Sequence, residues 1–104
     1  MYDNLILFRN ELKNRNVSNY KLIGIVTELI FSKEIFKKNS DISVFIQEIF
    51  DITLKDYILK SRTMIVAHTC RMIVKQNEFK NKGKLLDFIN LKIEQIKNEQ
   101  TSNK

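Results

Sequence analysis

Apolar residues recur at intervals of three and four along most of this chain, the period of a helix that buries one face. Leu5, Phe8 and Leu12 set the pattern in a first helix expected over residues 4–15, with Asp3 as its N-cap. Ser18 is a second cap, and the stretch after it, NYKLIGIVTELIF, is apolar on most sides. A helix of that kind is normally buried, and Gly24 inside it marks a point where a neighbouring helix is expected to pack closely. The segment SKEIFKK either prolongs this helix or forms a separate turn.

NSD at 39–41 reads as a loop. Beyond it Ile42, Phe45, Ile46, Ile49 and Phe50 share one face of a third helix. Thr53 and Asp56 have the spacing of a capping box, which predicts a fourth helix from Leu54 unbroken to Gln76. NEFKNKGK is polar and reads as a loop. A last helix over residues 84–98 has Leu86, Ile89, Ile93 and Ile96 as its seam, and the tail EQTSNK is expected to fray.

Composition narrows the fold class. With two glycines and no proline in 104 residues, the chain lacks the material of hairpins and bulges. The expectation is an all-α protein: a compact bundle or orthogonal array of about five helices with a long central fourth helix. It is read as one helical domain over residues 1–98 with a tail at 99–104. Uncharged runs such as TMIVAHTC fall well short of the roughly 18 residues of a membrane span. MYDNLILFRNE has no basic leader, so a cytoplasmic protein is expected.

Candidate chemistry is sparse. The only histidine, His68, and the only cysteine, Cys70, stand two residues apart in LKSRTMIVAHTCRMIVKQ. At about 100° per residue they point about 200° apart on a continuous helix, too divergent for a Cys–His nucleophile pair. One Cys and one His do not make a structural zinc site. No Gly-rich phosphate loop, HExxH, CxxC or GxSxG occurs. A binding protein without cofactor or metal is therefore expected rather than an enzyme.

Charge supplies the remaining lead. The net charge is +6, and residues 61–85 hold six cations against one acid, Glu78. Composition is a competing source of the excess: Lys, Ile and Asn make up 14, 15 and 11 of the residues, all with AT-rich codons, as in an AT-rich bacterial genome. Arg71 and Lys75, one helical turn apart, with Lys80, Lys82, Lys84 and Lys60, form the candidate phosphate-contacting set. Arg62 falls among the apolar positions of its helix and is expected to be a structural ion pair with Asp51, Asp56 or Glu48.

These residues lead first to a small nucleic-acid-binding protein, a regulator or accessory factor in DNA replication or transfer. The alternative is a helical adaptor or subunit that docks a larger protein partner through an exposed apolar helix face, and a homo-oligomer is a further expectation. A basic bundle at an anionic membrane surface is a third reading. FIQEIFDITLKDYILKSR has the outline of a helix-turn-helix, but its turn lacks the usual glycine and its second helix opens on Asp56 among acids.

Overall fold

The computed structural model describes residues 1–14, 17–76 and 79–102, with the side chains of 101 and 102 excepted. Five α-helices follow one another: α1 (Tyr2–Leu12), α2 (Asn19–Phe31), α3 (Asn39–Phe50), α4 (Arg62–Lys75) and α5 (Lys82–Ser102), with a 3-10 turn at Ile58–Lys60. No strand occurs among the described residues, so the expected all-α class holds. The chain divides into two compact units, one of residues 1–17 with 82–104, the other of residues 18–81.

In the first unit α1 packs against α5. Leu5, Phe8 and Leu12 of α1 are buried, as their spacing predicts. On α5 the buried positions are Leu85, Ile89 and Ile93, while Leu86 and Ile96 are half-buried at the edge of the seam. The helix begins at Lys82 and continues past Asn98 to Ser102, longer at both ends than its sequence pattern suggests. The Lys82 ammonium donates to the main-chain carbonyl of Asn14, just past the end of α1.

The second unit begins as expected, with the Ser18 hydroxyl accepting from the Lys21 amide to cap α2. α2 buries Leu22, Ile25, Val26, Leu29 and Ile30. Gly24 is exposed, and a Cβ there would meet nothing within 4 Å, so it marks no close approach. SKEIFKK forms a separate turn. The Ser32 hydroxyl accepts from the Ile35 amide, and Ile35 and Phe36 fold inward.

NSD is not a loop. Asn39 opens α3, where short polar side chains suit the first helical turn. The predicted face, Ile42, Phe45, Ile46, Ile49 and Phe50, is buried in full. α3 stops at Asp51 in the left-handed conformation, φ 56°, with its amide donating to the Gln47 carbonyl. Ring contacts then run from Phe36 to Phe45 (5.1 Å between centroids), to Phe50 (6.4 Å) and to Phe79 (5.3 Å).

The largest departure from expectation lies at residues 51–61. The unbroken helix over 54–76 does not form; α4 starts at Arg62 and is shorter than α5. Thr53 caps nothing: its hydroxyl donates to the Gln47 side chain at 2.6 Å. Ile52 and Leu54 are buried while Thr53 and Lys55 are exposed, an alternation of period two that a helix cannot provide. Ser61, in extended conformation, is the true cap, its hydroxyl accepting from the Met64 amide. Residues 51–61 also separate α3 from α4 by far more than the three- or four-residue turn of a helix-turn-helix.

Candidate docking and anion-contacting surface

α4 packs on α2, and its buried positions, Ile65, Thr69 and Ile73, stand four residues apart. Cys70 is half-buried with its sulfur 3.7 Å from Thr27 Oγ1 of α2. Both Cys70 and His68 lie within the continuous stretch of α4, so the opposed directions expected for them follow from helix geometry even though the helix is shorter. The Thr69 hydroxyl is buried without a hydrogen-bond partner among the described residues.

Arg62 is a structural residue, but its partners are not carboxylates. Its guanidinium donates to the carbonyls of Ile30 (2.9 Å), Ser32 (3.4 Å) and Phe36, and to Asn39 Oδ1 (3.1 Å). Three of these acceptors lie at or beyond the C-terminal end of α2, where unpaired carbonyls and the helix dipole favour a cation. Asn39 in turn donates to the Leu59 carbonyl at 2.6 Å. A single side chain at the start of α4 therefore ties the end of α2, the turn after it and the start of α3. No carboxylate is needed, because the helix end supplies the partial negative charge.

The outer side of α4 is a different surface. Met64, Ala67, Arg71 and Val74 are exposed at helical spacings of three, four and three, with Lys75 beside them. Met64 is 42% and Val74 63% exposed, and no acidic residue occurs anywhere in α4. Arg71 and Lys75 have no hydrogen bond or ion pair among the described residues. The result is an apolar stripe interrupted and flanked by free cations.

The other candidate cations do not all belong to this surface. Lys60 is exposed at the end of the 3-10 turn, and Lys80 is exposed beside a cleft of about 720 Å³ lined by Ile49, Ile52, Met72 and Phe79. Lys82 is committed to the Asn14 carbonyl, and Lys84 lies in the first turn of α5; both belong to the other unit. Asn81, which the sequence does not single out, donates to the Ile49 carbonyl at 2.8 Å and closes the end of α3. Its only signal is an amide side chain in a polar segment.

Among the described residues no group of three or more His, Cys, Asp or Glu side chains could hold a metal ion. No described helix is long and apolar enough to cross a membrane. No protein-family model, curated protein or solved structure matches the chain.

Proposed function

We propose that the chain is a cytoplasmic helical adaptor or subunit that works by docking a protein partner through the outer face of α4. The observation that supports this is the exposure of Met64 and Val74 on one stripe with Ala67 and Arg71. Pure phosphate contact has no use for exposed apolar groups in that row, whereas a helical partner does. Binding, not catalysis, is the activity of this surface. The test is a photo-crosslinking residue at Ala67, introduced in cells that produce the chain. A discrete adduct that disappears when Met64→Asp and Val74→Asp are combined supports the reading; no adduct, or one indifferent to those changes, rejects it.

Nucleic acid is the second reading, favoured by one observation: α4 carries no acid, and Arg71 and Lys75, one turn apart, have no ion pair among the described residues. With Lys60 and Lys80 as outlying contacts, such a surface suits a DNA backbone. Binding of this kind is read from its salt dependence.

A further inference from the structure

Resting on that docking reading, we propose that the occupant of α4's outer face is the outer face of α5 from a second copy of this chain. The two surfaces are complementary in charge and alike in spacing. On α5, Lys84, Asp87, Leu91 and Glu94 are exposed at intervals of three, four and three, the same intervals as Met64, Ala67, Arg71 and Val74. Leu91 is 55% exposed and is bracketed along the stripe by Asp87 and Glu94, neither of which has an ion pair among the described residues. α4 offers exposed apolar groups among unpaired cations; α5 offers an exposed apolar group between unpaired acids.

An antiparallel pairing makes one apolar contact and brings opposite charges together beside it. With Val74 set on Leu91, Arg71 lies opposite Glu94, because each is three residues from the central contact in opposed directions. Lys75 then falls within one turn of Asp87, inside the reach of its four-carbon stem. Lys84 lies beyond the end of α4 in this register. Ala67, small and exposed, lets the partner helix approach closely. An α4 face paired with a second α4 face would bring Arg71 and Lys75 against their own kind, so the contact joins unlike surfaces. A contact of one helix face on another is small, at the weak end of interface sizes, below about 1,200 Å² in total.

Sedimentation velocity over a range from micromolar to millimolar, combined with charge reversal, tests this. One variant carries Arg71→Glu and Lys75→Glu, the other Asp87→Lys and Glu94→Lys; all four sites are exposed, and circular dichroism checks that each variant keeps its helicity. The native chain should associate with concentration, each variant alone should associate at least tenfold more weakly, and an equimolar mixture should recover association. A native chain that stays monomeric throughout overturns the inference, as do variants that associate as well as the native chain or a mixture that recovers nothing. If the native chain is monomeric while the Ala67 crosslink still captures a different chain, the docking reading stands and only the occupant is wrong. If it is monomeric and no adduct forms, both fall.

Discussion

Arg62 Nη1 lies 2.9 Å from the carbonyl oxygen of Ile30, thirty-two residues earlier in the chain, and this contact joins the start of α4 to the end of α2. The same guanidinium also serves Ser32, Phe36 and Asn39. Removing it leaves part-buried acceptors without a donor. Arg62→Ala should therefore lower stability by about 2–4 kcal/mol in urea unfolding. Arg62→Lys should recover less than half of that loss, since an ammonium cannot span acceptors arranged for a planar fork. Equal stability of the Lys variant and the native chain would contradict the clamp.

Thr69 presents the opposite case. Its buried hydroxyl has no hydrogen-bond partner among the described residues, so it carries a desolvation cost with no compensating bond there. Thr69→Val, close in shape, should raise stability by about 1 kcal/mol. Thermal melts of the two proteins decide the point, and a fall in melting temperature would mean that the hydroxyl is satisfied.

Ser61 follows the 3-10 turn and opens α4 through its side chain. Ser61→Ala should cost about 1 kcal/mol, the usual worth of an N-cap. Thr53→Ala, at the site expected from sequence to be a cap, removes only an exposed side-chain contact and should change stability by less than about 0.5 kcal/mol. Reversal of that order would restore the longer helix.

Much of the second unit was legible in its apolar spacing. The Ser18 cap and the buried face of α3 emerge from period and cap chemistry alone, whereas α2, apolar on most sides in sequence, leaves Phe31 exposed and Ile23 half-buried. Over residues 54–76 the pattern misleads, because Leu54, Ile58 and Ile65 satisfy a helical period by accident of a different path: all three are buried, but Leu54 belongs to an extended stretch. Ile52, two residues before Leu54, was the available signal. The role of Arg62 as a structural residue was legible from its apolar surroundings. Its partners were not, since main-chain carbonyls leave no mark on a sequence. For Lys82 the difficulty is the same: its charge looks free until Asn14 is placed beside it.

Met64 and Val74 contribute little to the unit that carries them, being exposed. Met64→Asp with Val74→Asp should leave the urea midpoint almost unmoved, within about 0.5 kcal/mol per site, while abolishing the Ala67 crosslink. A large loss of stability would show that this stripe is part of the core.

Should nucleic acid be the ligand, two phosphate contacts from Arg71 and Lys75 give a slope of about −2 for log affinity against log salt on duplex DNA. Changing both to Ala should make the slope shallower by about 2. A gel-shift series showing no binding even at low salt would dismiss the reading.

The connection between α3 and α4 has a parity. Ile52 and Leu54 enter the interior because they are an even number of residues apart on extended backbone, with Thr53 left outside. Deleting one residue there would exchange inside for outside and carry a hydroxyl or an ammonium into an apolar interior, whereas deleting or inserting at the exposed Lys55–Asp56 corner would not. Evolution can thus lengthen this connection at its corner far more freely than along its inward-facing stretch, although none of it is helix before Ile58.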